Sequence, residues 1–248
     1  MRDAFYEVIE FLYREEKTDS KWLSSIRDWL TVIFFVLLSY FFIDNYGRFS
    51  VDTRYTLFHL NSVALLVFCL RRFVFNREYY PLEERIPLYT CNIAAIVMPL
   101  NYIFSILNLR NPLWEVIFTW GLFAGLYGGP LAIIFASPGE YEFPHFTRLA
   151  YYVEHAGIFF LGLIYVFERE VEFSEELLIL SCLITVVYLV IMDLYVNPKL
   201  GSNYGFITEA PRGVEFLNNL PKGLYKFLCI GLYVGFNIVT WKIANTLI

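Results

Sequence analysis

The sequence predicts an all-α integral membrane protein: a bundle of about seven transmembrane helices preceded by an amphipathic interfacial helix. Three observations predict it. Apolar residues make up 58% of the chain and charged residues only 17%, against about 45–50% and about 25% in a soluble domain. Mean hydropathy is +0.52. The apolar residues also gather in runs close to the roughly 17–25 residues that cross a bilayer as a helix.

The elements follow in order. Phe5, Val8, Ile9 and Leu12 recur at helical spacing, with Glu7, Glu10 and Arg14 on the other side. Residues 1–28 therefore read as a cytoplasmic amphipathic segment, either lying on the membrane surface or packed on the bundle. No A-x-A-like cleavage site follows a short apolar core there. The bundle, residues 29–247, is read as spans over Trp29–Ile43, Tyr55–Cys69, Ile86–Leu107, Pro112–Ala136, Thr147–Phe167, Glu176–Tyr195 and Leu224–Leu247. The first two are short, so their polar flanks must snorkel or sit among headgroups. Pro130 predicts a kink near the end of the fourth span, and Gly121 with Gly125 predicts close helix packing. The long linker Val196–Gly223 carries Pro198, Gly201, Pro211, Gly213 and Pro221, and reads as an ordered loop. No repeat or boundary divides the chain, so residues 1–248 form one membrane domain.

Orientation follows from basic residues. Arg2, Arg14, Lys17, Lys21, Arg27, Arg71, Arg72, Arg77, Arg85, Arg148, Lys199, Arg212 and Lys222 fall on one side, thirteen in all. Arg48, Arg54, Arg110, Arg169 and Lys242 fall on the other, five in all. The reading is a multi-pass cell-membrane protein with a cytoplasmic N-terminus and an external C-terminus.

Several function classes are excluded. A net charge of −5 and a pI near 5.3 argue against a nucleic-acid partner. Cys69, Cys91, Cys182 and Cys229 all lie within apolar runs, which disfavours a disulfide scaffold or zinc ribbon. His59, His145 and His155 lack HExxH-type spacing, so neither a metal nor a cofactor is expected.

Polar groups inside a bilayer are costly and face the bundle interior or a wet cavity. Cys91 lies ~8 Å into the third span and His155 ~12 Å into the fifth, both counted from the cytoplasmic side. Asp193 ends the sixth span there, and Asn203 and Tyr204 follow in the loop. These groups are expected to converge in one cytoplasmic-leaflet cavity, with His59 on the opposite side. Cys91 and His155 are the candidate catalytic pair. Tyr89, Asn92, Glu154, Asp193, Asn203 and Tyr204 are the candidate binding residues. Glu154 and His155 point about 100° apart on one helix, so they are no ready-made dyad.

Certain motifs resemble a known family. Pro87-Leu88-Tyr89-Thr90-Cys91-Asn92 is similar to the P-L-H-x-C-(D/S) element of the bacterial YwaF-like integral membrane proteins. Trp120-Gly121 resembles their W-G helix, and Pro138 with Phe143-Pro144 their T-P…F-P loop. His155 falls where they carry a histidine, and Asn203-Tyr204-Gly205-Phe206 with Pro211 resembles their N-Y-x-F…P element. That family looks similar to a eukaryotic transmembrane phospholipid acyltransferase using a cysteine and a histidine, and more remotely to lipid hydrolases with a Thr–His pair. The resemblance implies a membrane lipid as ligand and His155 as base. The eukaryotic nucleophile lies in a P-C-H element, which falls on Leu88 and Tyr89 here, three positions before Cys91.

Two functions are expected from these residues. One is acyl transfer or lipid hydrolysis, with Cys91 as nucleophile and His155 as base. Asn92, Asn203 or Tyr204 would then stabilise the oxyanion. The other is a non-enzymatic module that binds or transports a lipid or small solute, or serves as a membrane subunit beside a protein partner.

Overall fold

A computed structural model describes residues 26–71, 82–135, 145–211 and 213–247. The amphipathic reading of the N-terminal segment and the Pro138 to Pro144 loop fall outside the described residues, apart from the last few residues before the first span. Within them the chain is helical, with long helices α1 (Ile26–Asn45), α2 (Val51–Leu70), α3 (Thr90–Ile106), α4 (Pro112–Ile134), α5 (Phe146–Phe167), α6 (Glu175–Ile191) and α7 (Lys222–Leu247).

Their starts carry expected signals. Ser50, Asn111 and Ser174 each precede a helix and accept a hydrogen bond from the backbone N–H three residues on, filling one orphan donor of the first turn. Pro112 occupies the first turn of α4, where its missing N–H costs nothing. Glu175 and Glu176 open α6 and complement its dipole.

Among the described residues six helical stretches are long and apolar enough to cross a membrane, α6 counting on through its π turn to Leu200. α3, at 17 residues, is shorter than these, about 25 Å long. It starts four residues later than the sequence suggests, because Ile86–Tyr89 is not helical. Pro87 explains this: it offers no N–H and pushes Ile86 away from helical angles. The carbonyls this frees find tyrosines. Tyr188 Oη donates to the Leu88 carbonyl at 2.7 Å and Tyr204 Oη to the Ile86 carbonyl at 3.4 Å.

α6 also departs from a plain helix. It widens into a π turn over Met192–Val196 and ends in the short turn Asn197–Leu200, capped by left-handed Gly201 (φ 64°). α4 runs through Pro130 to Ile134, and Tyr151 Oη donates to its Ala132 carbonyl at 2.7 Å.

α4 forms the core with α3 and α5. Its glycines set the spacing. A Cβ on Gly129 would stand 2.5 Å from the His155 carbonyl oxygen, and one on Gly128 3.0 Å from Cys91 Sγ. α2 packs on α3 and α5, α1 lies at the edge against α5, and α6 and α7 pack on the remaining side of α4. That side holds a polar clamp: Trp120 Nε1 and Asn237 Nδ2 both donate to Thr185 Oγ1, at 3.0 and 2.8 Å.

Candidate functional site at the basic end of the bundle

One end of the bundle collects Arg71, Arg85, Arg148, Lys199 and Lys222, and the candidate residues lie toward it. Cys91 is the second residue of α3, nearer the end than the sequence spacing suggests, because the helix starts late. An anion forming on its sulphur would meet the first-turn N–H groups that α3 leaves without intrahelical partners. The thiol lies against Gly128 of α4. The hydroxyls of Tyr127, Tyr188 and Tyr233 lie within electrostatic reach of it.

His155 sits ~14 Å along α5 and is buried. Its Nδ1 lies 2.6 Å from the Tyr151 carbonyl oxygen, and its ring packs on Tyr151 with centroids 4.2 Å apart. A carbonyl only accepts, so Nδ1 carries a proton and Nε2 is the basic nitrogen. The His155 carbonyl faces Gly129 while Cys91 Sγ faces Gly128. Consecutive Cα atoms are about 3.8 Å apart, so the thiol and the His155 main-chain carbonyl border the same dipeptide. Glu154 is buried on the neighbouring face of α5, and Asn92 is buried on α3.

The other candidates build walls. Tyr89, at the cap position of α3, packs its ring on Tyr204 at 4.8 Å and on Phe206 at 5.9 Å. Tyr204 is fully buried and is held by Asn197, whose Oδ1 accepts from Tyr204 N at 2.8 Å and whose Nδ2 donates to Tyr204 O at 3.1 Å. Asn203 folds the loop on itself: Nδ2 donates to the Glu209 carbonyl, and Oδ1 accepts from Thr208 N and Glu209 N. These bonds position loop backbone, so Asn203 acts first as scaffold. Asp193, in the π turn, pairs with Lys226 Nζ at 2.7 Å. Gly205 (φ 69°) and Phe206 (φ 50°) follow in left-handed conformation, which is costly for Phe206. α7 holds them in place: Tyr225 Oη donates to the Phe206 carbonyl, and Cys229 Sγ lies 3.6 Å from the Gly205 carbonyl.

His59 lies apart, packed on Tyr102 at 5.1 Å and Phe58 at 5.6 Å. The opposite end of the bundle is tied by ion pairs. Glu168 meets Arg54 Nη1 at 2.9 Å and Tyr46 Oη at 2.7 Å, and Arg110 meets Glu170 at 3.6 Å.

An apolar groove lies elsewhere, on α7. It has about 390 Å³, is lined by Phe227, Leu228, Gly231, Leu232, Gly235, Phe236 and Val239, and contains none of the candidate residues. Around Cys91 the α4 glycines bring α3 and α5 close to α4. Among the described residues no group of acids, histidines and cysteines forms a metal site.

Sequence reasoning missed the three tyrosines around Cys91, and Asn197, Thr185 and Asn237. Tyrosines are frequent in this chain, with nineteen in all, so their type carried no signal. The one local hint was Tyr127 beside Gly128-Gly129.

A protein-family model described as the TMEM164 family matches residues 17–242. No curated protein and no solved structure matches the chain.

Proposed function

The chain belongs to the TMEM164 family, a polytopic membrane protein, and we propose on that premise that it binds a membrane lipid at its basic end and moves the lipid's acyl group. The observation that carries this reading is that the Cys91 thiol borders Gly128 of α4 while the backbone of His155 borders the adjacent Gly129. The resemblance to YwaF-like proteins and to the Cys/His phospholipid acyltransferase supports it. The thirteen-to-five bias in basic residues assigns that end, and with it the N-terminus, to the cytoplasm.

The chemistry is acyl transfer. His155 Nε2 takes the Cys91 thiol proton, and the sulphur attacks the ester carbonyl of a glycerophospholipid. The tetrahedral intermediate collapses, the C–O bond breaks, and the lysolipid alkoxide takes the proton from the imidazolium. The acyl-cysteine is then attacked by the hydroxyl of a second lysolipid, or by water in hydrolysis. His155 accepts that proton and returns it to the sulphur. First-turn N–H groups of α3 and the side chain of Asn92 are the nearby donors for the oxyanion. Tyr89, Glu154, Asp193, Asn203 and Tyr204 would shape the walls against the lipid.

One observation favours plain lipid binding. Leu88, at the position of the related acyltransferase's nucleophile, packs against the apolar cluster that includes Trp120 and Tyr204, while its carbonyl is tied to Tyr188. The two readings separate in nanodiscs containing a labelled phospholipid. Acyl transfer predicts that Cys91→Ala reduces exchange and release to background, and that His155→Asn lowers them about 10²–10⁴-fold. Wild-type turnover in Cys91→Ala would sink the thiol mechanism. A binder predicts silence at Cys91, and a loss of about 1–3 kcal/mol in lipid affinity for His155→Ala.

A further inference from the structure

Three phenols lie within electrostatic reach of the Cys91 thiol. Tyr188 Oη donates to the Leu88 carbonyl at 2.7 Å, and the Tyr233 hydroxyl lies near the Thr90 side chain. The third, Tyr127 Oη, is buried and has no hydrogen-bond partner among the described residues. Its ring is fixed: it stacks on Phe236 with centroids 5.4 Å apart and meets Tyr233 edge-on at 6.1 Å. Tyr127 is only 9% exposed. A buried hydroxyl left unpaired costs free energy, the more so where no bulk water can reach it. The residue also precedes Gly128, whose open face touches the Cys91 sulphur. A donor held rigidly and left unused beside a nucleophile calls for an acceptor on the ligand.

We propose that Tyr127 Oη is the donor that binds the ester carbonyl oxygen of the acyl lipid held at Cys91. This rests on the lipid reading above and names the chemical group the site recognises. Two arguments select an ester carbonyl. The rings of Phe236 and Tyr233 pack on Tyr127, so a charged phosphate would lose its hydration there. A neutral carbonyl suits a neutral phenol. The carbonyl oxygen is also about 1.23 Å from the carbon that the thiol attacks, so a donor near the sulphur is well placed to hold it. A trapped water is the other neutral acceptor, and the test separates the two.

The experiment compares binding of a diacyl phosphatidylcholine and its dialkyl ether analogue, which lacks both carbonyls, to the purified protein. The wild type is expected to favour the ester lipid by about five- to tenfold, the worth of one hydrogen bond. Tyr127→Phe should bring that ratio to about one while thermal stability holds or rises, because the variant removes an unpaired hydroxyl. A purely structural role for Tyr127 would change stability and leave the ratio alone. Equal wild-type affinity for both lipids, as a trapped water would give, overturns the proposal, and so does a ratio retained in Tyr127→Phe. Should that variant fail to fold, 3-fluorotyrosine at position 127 supplies the second readout: its ¹⁹F resonance must move with the ester lipid and not with the ether. The two readings fail separately. Turnover that survives Cys91→Ala removes the thiol mechanism and leaves the ratio test standing. An unchanged ratio in Tyr127→Phe, with Cys91→Ala inactive, removes Tyr127 alone.

Discussion

α4 and α7 have the same mean hydropathy, 1.6, over their most apolar stretches, yet 67% of that stretch is buried in α4 and 17% in α7. Both helices carry glycines. On α4 they meet other helices: Gly125 would press a Cβ to 2.8 Å from Met98 Cε, and Gly129 to 2.5 Å from the His155 carbonyl. On α7 a Cβ at Gly231 or Gly235 would meet nothing within 4 Å, and these residues line the apolar groove. In lipid, apolarity gives helices no reason to prefer one another. Association comes from close packing and interhelical hydrogen bonds. α4 supplies the packing. α7 is held by a few polar contacts: Asn237 to Thr185 inside the bundle, Trp241 Nε1 to the Phe173 carbonyl at 2.8 Å, and Lys226 to Asp193.

That contrast can be broken from either side. The largest effect should come from Gly129→Ala. Its methyl collides with α5 backbone, which cannot swing aside as a side chain can, so about 1–3 kcal/mol of stability should be lost. A thermal unfolding scan in detergent reads this out, and an unshifted midpoint would mean that α4 and α5 are not in contact as described. Next is Asn237→Leu, which removes the clamp on Thr185 and should cost about 0.6–1.7 kcal/mol. Trp120 fluorescence should shift as its Thr185 partner relaxes. At the far end, Glu168→Gln loses the Arg54 pair but keeps an acceptor for Tyr46, so the loss should stay near 0.2–1 kcal/mol and shrink with added salt. The smallest effect belongs to Gly231→Ala, within about ±0.5 kcal/mol. A large loss there would show that the α7 groove is filled by something that needs the glycine.

Much of the architecture was legible because the bilayer constrains it. Each span must satisfy its own backbone and be apolar along its length, so runs of Leu, Ile and Phe marked all seven helices to within a few residues. The breaks were less legible. The late start of α3 is written in Pro87, but the π turn after Ile191 has no local signature. Around it Asp193 pairs with Lys226 and Asn197 with Tyr204 of the loop beyond. The candidate site was read in part. Cys91 and His155 stood out as polar residues in apolar runs; the structure sets the Cys91 thiol against Gly128 and the His155 backbone against Gly129. Tyr127 did not stand out, since a tyrosine in an apolar run is ordinary until its hydroxyl is seen without a partner.

The sequence by itself determined that this chain is a helical membrane bundle, where its spans lie, and that its basic residues favour one end, because transfer into lipid is a local property summed along each helix. Only the tertiary structure decided which apolar helix became the core and which faced lipid, that Asp193 is taken up by Lys226, and that one phenol beside Cys91 is left unspent. Those outcomes depend on which surfaces can approach within van der Waals contact. That is a relation between distant residues, and hydropathy alone does not carry it.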